Sequence, residues 1–374
     1  MRVELDAEGT CAGFAAAAER LARTSGVEGL LALCCDANGF LPSELDPLLE
    51  RVGLPLFGGC FPGILYQDRV YDRGSLLVGL PAKPEIQLIA DLESRHQDFD
   101  SLIQAAESSY MEPGTKILLV DGMSLYVNSL LESVFNAAGL AEGYIGGGAS
   151  SLDLVPKPSL FTNNGLRGDC AILAHIPLPS GIGIAHGMRS VAGPFKVTSA
   201  TFNEIRSLDW QPAAQLYKNT ILNHPDYDPG ILGFLGTDAH YSLGLNRMDA
   251  ERVILEPVRE GEQESLLFMQ QVREGEFVNV MHISADSMIA SAATALERAL
   301  ENIQGQGSPK TILTFDCVSR RLFLGNRFQE ELKAIASEGS VHIGALTCGG
   351  EIGTSGKDFL DYHNRTCVIG VFPE

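Results

Sequence analysis

The sequence has little positive charge. It contains 27 Lys and Arg residues against 47 Asp and Glu residues, for a net charge of −20 and a pI near 4.8. Nucleic-acid backbones and anionic membranes attract clustered basic residues, so this balance disfavours both as partners. No segment approaches the roughly 20 apolar residues of a membrane span, and the first residues lack the basic-then-apolar order of a secretory signal. We therefore expect a cytoplasmic protein.

Two kinds of metal or redox motif are missing. The eight cysteines form no C-x-x-C pair, which disfavours a zinc ribbon, a thioredoxin-type centre and covalently attached haem. Several cysteines lie inside apolar runs, as buried, reduced thiols of a cytoplasmic protein do. The eight histidines form neither H-E-x-x-H nor H-x-H, which disfavours a zinc hydrolase.

One pattern occurs three times in the sequence. Each copy has an apolar strand that ends in aspartate, a helical stretch, a second apolar strand with glycine near its end, and an arginine that introduces a third strand closing in proline. The aspartates are Asp36, Asp121 and Asp316; the glycines begin at Gly58, Gly146 and Gly344; the arginines are Arg73, Arg167 and Arg365. A repeat of this length indicates one α/β unit used several times.

The repeats define the predicted fold class. We expect an α/β protein of two related domains, 1–205 and 206–374, with mixed β-sheets and flanking helices built from strand–helix–strand units. The segment 252–257 repeats the arginine, strand and proline ending, and we interpret it as a degenerate fourth unit. The clearest helix is predicted at 284–303, with Ser284 as its N-cap.

Glycines of the second copy are the first candidate ligand site. Backbone N–H groups in a glycine-rich segment can approach an anion or a planar ligand closely, which makes Gly146, Gly147 and Gly148 candidates. The segment matches neither G-x-G-x-x-G nor G-x-x-x-x-G-K-[ST]. The alternative is a tight turn that requires positive φ.

Two cysteines of the third copy carry the most reactive chemistry. Cys317 precedes Arg320, and a thiol beside guanidinium groups is held more readily as thiolate. Cys348 and Glu351 follow on the next predicted turn. A cysteine nucleophile also needs a histidine base within reach, and no spacing selects one. Buried structural cysteines are the alternative.

Two histidines are candidate axial ligands for haem. An axial histidine needs only an apolar pocket and one imidazole, and both His186 and His282 have apolar neighbours along the chain. The alternative for each is a core or turn histidine that is satisfied by hydrogen bonds.

The order of several short motifs resembles the FIST family. Residues 57–64, 120–122 and 145–150 resemble the N-terminal FIST domain, and 314–320, 349–352 and 363–366 resemble the C-terminal FIST domain. The resemblance covers about residues 25–373. The sequence departs from the family at Phe61–Pro62, where small hydroxyl residues are more usual, and at Arg365, where glutamine is common.

The resemblance implies a sensory function. FIST domains are sensory modules for small ligands in bacterial signal transduction and in eukaryotic F-box proteins. Stand-alone proteins of this size resemble nitric-oxide-sensing haemoproteins that regulate a histidine kinase or a cyclic-di-GMP enzyme. That similarity implies haem b as a cofactor, a diatomic gas as the ligand, a signalling protein as partner and a homodimer as one possible assembly.

The leading hypothesis is therefore a ligand-binding sensor rather than an enzyme. Its pocket would contain Gly146, Gly147, Gly148, Cys317, Arg320, Cys348 and Glu351, and its haem, if present, would be bound by His282 or His186. Three alternatives stay open: a FIST module for an amino acid or another small metabolite, a cysteine-dependent enzyme, and an interaction scaffold without a ligand.

Overall fold

The computed structural model of the chain describes residues 1–94, 97–110, 112–139, 143–227, 240–247, 251–354 and 359–373. It is an α/β protein whose three sequence repeats form three structural copies. The first copy consists of β1 (Arg2–Asp6), α1 (Cys11–Ala22), β2 (Gly29–Cys35), α2 (Pro42–Leu49), β3 (Leu56–Phe61), β4 (Gly63–Tyr66), β5 (Arg69–Tyr71) and β6 (Ser75–Leu80). The second consists of β7 (Glu85–Ala90), α3 (Phe99–Glu107), β8 (Thr115–Asp121), α4 (Val127–Ala138), β9 (Gly143–Ala149), β10 (Leu160–Thr162), β11 (Gly165–Arg167) and β12 (Cys170–Ile176).

The third copy is interrupted by an insertion. It begins with β13 (Gly181–Ala185). The insertion then contains β14 (Arg189–Thr201), β15 (Glu204–Leu208), β16 (Gln211–Pro212), α5 (Ala213–Leu222), β17 (Tyr241–Leu245), β18 (Val253–Leu255), β19 (Pro257–Glu260), β20 (Leu266–Phe268) and β21 (Phe277–His282). The copy resumes with α6 (Ala285–Asn302), β22 (Pro309–Cys317), α7 (Val318–Leu324), α8 (Phe328–Ile335), β23 (Val341–Thr347), β24 (Glu351–Thr354), β25 (Asp361–His363) and β26 (Cys367–Pro373).

Each copy has the same three-strand centre. One strand of each copy has the aspartate near its end. It pairs parallel with the glycine strand and antiparallel with the last strand of the copy. The pairs are β2 with β3 and β6, β8 with β9 and β12, and β22 with β23 and β26. These strands are buried over nearly their whole length because both faces of each sheet are covered. One hydrophobic core joins all three copies and includes Leu33, Phe61, Ile145, Ile172 and Phe315.

The three copies exchange hairpins in a ring. The β4–β5 hairpin of the first copy joins the sheet of the third beside β23. The β24–β25 hairpin of the third joins the sheet of the second beside β9, and the β10–β11 hairpin of the second joins the sheet of the first beside β3. Each resulting sheet has six strands, so no copy completes its own sheet.

Equivalent glycines allow close approach of the central strands. A Cβ placed on Gly58, Gly146 or Gly344 would lie 2.0, 1.9 or 2.3 Å from a carbonyl oxygen of the paired parallel strand. Only glycine fits at such distances. The prediction of a positive-φ turn at Gly146–Gly148 is wrong, because these residues are buried in β9 and none of them has a positive φ.

The insertion has a different architecture. Its strands form one antiparallel sheet, in the order β18-β17-β21-β14-β15-β20-β19, over a separate core that includes Val197, Tyr217 and Leu243. The interpretation of 252–257 as a fourth unit is wrong. Within the described residues β18 pairs with β17 alone, in antiparallel orientation, at the end of this sheet.

The predicted long helix is confirmed. It begins after Ser284, whose hydroxyl oxygen accepts a hydrogen bond from the Ser287 N–H at 3.2 Å in a capping box. Among the residues with a described structure, no helix is long and apolar enough to cross a membrane.

The glycine strands generate a prediction about stability. Gly146→Ala should destabilise the protein by about 2–3 kcal/mol or more, because the new methyl group collides with backbone that cannot move without separating β8 from β9. Urea denaturation measures the change. Gly53→Ala is the matched control, since a Cβ there meets no atom within 4 Å. Equal stability of the two variants would contradict the argument.

Candidate functional site

Buried polar side chains gather where β22 and β23 end. Asp316 and Cys317 close β22, Thr347 closes β23, and Glu351 opens β24. We call the whole group the polar centre, and its members are at most 7% exposed: Asp316, Cys317, Arg320, Glu331, Thr347, Cys348, Glu351 and Arg365. Charged groups are buried only when they are paired or hydrogen-bonded, so this cluster requires an explanation.

The seven predicted ligand residues lie together in this region. Gly147 is opposite Glu351 in the β9–β24 pair. Gly148 donates its N–H to the carbonyl of Gly350 at 2.8 Å and accepts a hydrogen bond from the N–H of Cys348 at 3.1 Å. The glycines therefore contact the incoming hairpin of the third copy. Their role in ligand binding stays a prediction.

Arg320 has a structural role in the polar centre. Its side chain is fully buried and forms ion pairs with Asp316 at 3.1 Å and with Glu331 at 2.8 Å. It also donates to the carbonyl oxygens of Met288 at 2.9 Å and Arg365 at 3.2 Å. These contacts tie α6, α7, α8 and the β25–β26 turn together, and they direct the guanidinium donors to protein groups.

The surroundings of Glu351 favour the protonated form of its carboxyl at neutral pH, although the Thr366 N–H donates to it at 3.2 Å. Burial raises the pKa of this carboxyl to about 8. The geometry agrees, because the Thr347 hydroxyl contacts both Glu351 and the carbonyl oxygen of Asp316, the latter at 3.0 Å. A hydroxyl has one proton and the carbonyl can only accept it, so a proton on Glu351 satisfies the second contact.

The surroundings of the two cysteines in the polar centre favour the thiol over the thiolate. Burial raises the pKa of Cys317 well above its ordinary value, and the nearby Glu351 carboxyl adds to the effect. Burial likewise raises the pKa of Cys348 to about 11. A nucleophilic cysteine requires the opposite shift, so this environment does not favour a cysteine-dependent enzyme.

Some buried oxygens of the centre lack hydrogen-bond partners. The Tyr362 hydroxyl has none among the described residues, and the Asp316 carboxyl contacts only the charged side chains of Arg320 and Glu331 there. Burial raises the pKa of Asp316, and the Glu331 carboxylate raises it further. An unsatisfied buried polar group costs about 1–3 kcal/mol, which indicates places that water or a ligand can occupy.

Tyr362 also lines a small cavity. It has a volume of about 90 Å³ and is lined by Asn128 and Glu132 of α4, by Arg247 and Gln270, and by Asp361 and Tyr362 of β25, among others. Such a volume holds about three water molecules. We call it the interdomain cavity, because α4 belongs to the second copy and its other walls come from the insertion and the third copy.

The polar groups of the interdomain cavity are fixed by long-range contacts. Arg247 forms a bidentate ion pair with Asp361, with distances of 2.8 Å from Nη2 and 3.1 Å from Nε. Gln270 donates from Nε2 to the carbonyl oxygen of Tyr362 at 2.5 Å. The Gln270 Oε1 is buried and has no partner within the described ranges. No motif could reveal these residues, since the partners are 92 and 114 positions apart.

The two candidate haem ligands differ in the hydrogen bonds that their ring nitrogens form. In His186, Nδ1 accepts from the Met188 N–H at 2.8 Å, and Nε2 lies 3.1 Å from Glu251. Burial lowers the pKa of His186 to about 4. Both nitrogens are engaged, as expected of a core histidine, so His186 does not fit an axial ligand.

His282 has a different environment. Its ring centroid lies 5.4 Å from that of His224, 6.1 Å from that of His240 and 4.8 Å from that of Tyr241. Burial lowers the pKa of His282 to about 4, and the charge of Arg189 contributes. The described part of the chain contains no group of three His, Cys, Asp or Glu side chains placed to hold a metal ion.

Comparison with known families identifies the chain. The FIST N domain matches residues 30–211 and the FIST C domain matches residues 213–354, so the protein belongs to the FIST family. FIST domains are associated with sensory signal transduction and with the binding of small ligands. No curated protein matches the chain. The division at 205/206 stays a prediction.

Glu351 generates a prediction about pH. Its folded-state pKa is raised to about 8, so its stabilising contribution is complete below the unfolded value and is lost as pH rises through 8. Between pH 5 and 8 this group should lower the free energy of unfolding with a slope of up to about 1.4 kcal/mol per pH unit. Glu351→Gln should remove that slope in urea titrations, and exposed Glu301→Gln should keep it. An unchanged slope in Glu351→Gln would show that Glu351 is ionised in the folded protein.

Proposed function

We propose that this FIST protein senses a small zwitterionic metabolite, such as an amino acid, that binds in the interdomain cavity. The proposal rests on the Gln270 side chain. It is 4% exposed, and its Oε1 has no hydrogen-bond partner among the described residues. A buried carbonyl oxygen of this kind favours a ligand that donates an N–H or O–H group. Such a convergence of polar groups in a cavity between domains is typical of small-molecule sites.

The charges around the cavity favour a ligand with both signs of charge. Arg247 and Arg273 supply guanidinium groups that pair with Asp361 and Glu132, and Glu276 supplies a further carboxylate, so a ligand would bind beside existing ion pairs. An ammonium group can bind between the carboxylates and Gln270, while a carboxylate can bind the guanidinium groups. The volume of about 90 Å³ suits glycine or alanine and is too small for a nucleotide or haem.

The position of the cavity supports a sensory response. Asn128 lies in the FIST N match and Gln270 in the FIST C match, so one ligand would contact both domains. Tyr362 forms a wall of the cavity, and its ring packs over Gly350 beside the polar centre. Ligand binding would favour one arrangement of the domains over another, and a signalling partner such as a histidine kinase would respond to that arrangement.

Ligand screening tests the proposal. Glycine, alanine and related amino acids should raise the melting temperature, and a ligand at 100 times its Kd should add about 2.7 kcal/mol of stability. Gln270→Leu should abolish the effect in calorimetric titration, because leucine cannot accept the hydrogen bond. Gln304→Leu, at an exposed position, is the matched control. An amino acid that binds Gln270→Leu as tightly as the native protein would refute this site.

A haem-based sensor of a diatomic gas is the second candidate function. His282 supports it, because no described hydrogen bond occupies its ring nitrogens and its neighbours are aromatic or imidazole rings. Bound haem would supply an iron atom that binds the gas, and His282 would be its protein ligand.

Haem reconstitution tests this second candidate. The native protein and His186→Ala should develop a Soret band with haem b, and His282→Ala should lose it. A native protein that develops no Soret band would eliminate the haem version and leave the amino-acid proposal intact.

A further inference from the structure

The sheet of the second copy ends in a long edge strand. Within the described residues β7 pairs with β12 alone, at one end of that six-stranded sheet. It has six residues and is the longest terminal strand of the three repeat sheets, since β5, β11 and β25 have three each and β1 and β13 have five. An open groove of about 550 Å³ runs along it and is lined by Ile86, Leu88 and residues 52–55, among others. Long edges of this kind attract another strand, so proteins usually shorten or cover them.

A terminal strand of the third copy shows how such an edge is covered. In β13, the carbonyl oxygen of Ile182 accepts a hydrogen bond from Asn302 Nδ2 at 2.8 Å, and that of Ile184 accepts one from Arg298. Both donors belong to α6. The helix therefore occupies the edge that a further strand would use.

The outward backbone groups of β7 follow from two side-chain contacts. The carbonyl oxygens of Leu88 and Ala90 accept hydrogen bonds from the side-chain amides of Gln87 and Gln97, at 3.2 and 3.1 Å. Both carbonyls therefore face away from β12. Because the orientation alternates along an antiparallel strand, the N–H and C=O groups of Ile86 face outward as well.

One symmetric register of two β7 strands uses the outward groups completely. If Ile86 lies opposite Leu88 of a second molecule, each such pair exchanges both of its N–H···O bonds, and a two-fold axis repeats the pair. The neighbouring symmetric registers are poorer. One brings in Pro84, which has no N–H, and the other brings in Ala90, whose carbonyl already accepts a side-chain bond.

The side chains in this register complement one another. Ile86 and Leu88 are half-buried and pack against the core that joins the copies, so their pairing removes further apolar surface from water. On the opposite face, the exposed Gln87 lies beside its own symmetry mate. Continuing the register places Lys83 opposite Asp91, and these exposed residues have opposite charges.

We propose that β7 pairs with β7 of a second molecule, so that two six-stranded sheets join into one continuous sheet across a homodimer. The backbone hydrogen bonds supply affinity, and the Ile86–Leu88 and Lys83–Asp91 contacts select the register. A two-fold contact uses the same edge on both molecules, so assembly stops at the dimer. The groove along β7 shares no lining residue with the interdomain cavity, and the two sites can be tested separately.

Sedimentation equilibrium tests the dimer. The native protein should be a dimer that dissociates on dilution. Gln87→Glu places two carboxylates side by side at the two-fold axis and should weaken the dimer about fivefold or more. Gln304→Glu adds the same charge at another exposed position and should dimerise like the native protein. Both variants should keep the native circular dichroism spectrum, because both side chains are exposed.

A cysteine at the two-fold axis tests the register. Opposite residues of a pair without mutual hydrogen bonds have Cα atoms about 4.5 Å apart, which is within the range of a disulfide. Gln87→Cys should therefore form a disulfide between the two molecules when glutathione disulfide is the oxidant. Glu85→Cys is the matched control and should not, since it lies opposite Ile89 in this register.

Four results would overturn the proposal. They are a native protein that stays monomeric at every concentration, a Gln87→Glu dimer as tight as the native one, cross-linking of Glu85→Cys as fast as that of Gln87→Cys, and a monomer whose native mass spectrum includes a peptide that Gln87→Glu releases. The last result would assign the β7 edge to an extended peptide instead of a second molecule.

Discussion

The ring of exchanged hairpins is the constraint on which the rest of the structure depends. A six-stranded sheet that receives its outer hairpin from another copy cannot form before that copy is in place, because an unpaired strand edge exposes buried N–H and C=O groups. The sheet of the third copy requires the β4–β5 hairpin of the first copy. The sheet of the second copy likewise requires the β24–β25 hairpin of the third. The two family domains are thus joined by β-sheet hydrogen bonds as well as by side-chain packing. A substitution that destabilises one sheet should therefore destabilise the sheet that shares a hairpin with it.

The positions of the functional candidates follow from this ring. The polar centre lies where β24 of one copy meets β9 of another, and the interdomain cavity lies behind the same hairpin, at Tyr362. Repetition of one unit therefore creates three strand ends whose side chains have diverged. Asp36 pairs with Lys157, Asp316 pairs with Arg320, and Asp121 accepts hydrogen bonds from backbone N–H groups.

Local patterns revealed the units, and long-range contacts determined the sites. The three aspartates, and the glycines three positions before the ends of β3, β9 and β23, were legible because a strand and its turn are encoded within a few residues. The same short-range pattern gave a wrong interpretation at 252–257. An arginine, a strand and a proline recur there, but the strand is antiparallel and lies at the end of a different sheet. The seven predicted ligand residues lie together because the β24–β25 hairpin of the third copy pairs with β9 of the second. Gln270, Arg247 and Tyr362 could not be found, since each is placed by partners about a hundred residues away.

Hydrogen exchange of the native protein tests the central claim most directly. If the hairpins bind the copies into one cooperative body, the amides of β3, β9 and β23 should exchange with the same opening free energy, equal to that of global unfolding, and destabilising one copy with Gly146→Ala should lower all three together. Amides of β3 and β9 that open at a lower free energy than those of β23, with Gly146→Ala affecting only the second copy, would show that the domains unfold independently and would contradict the account.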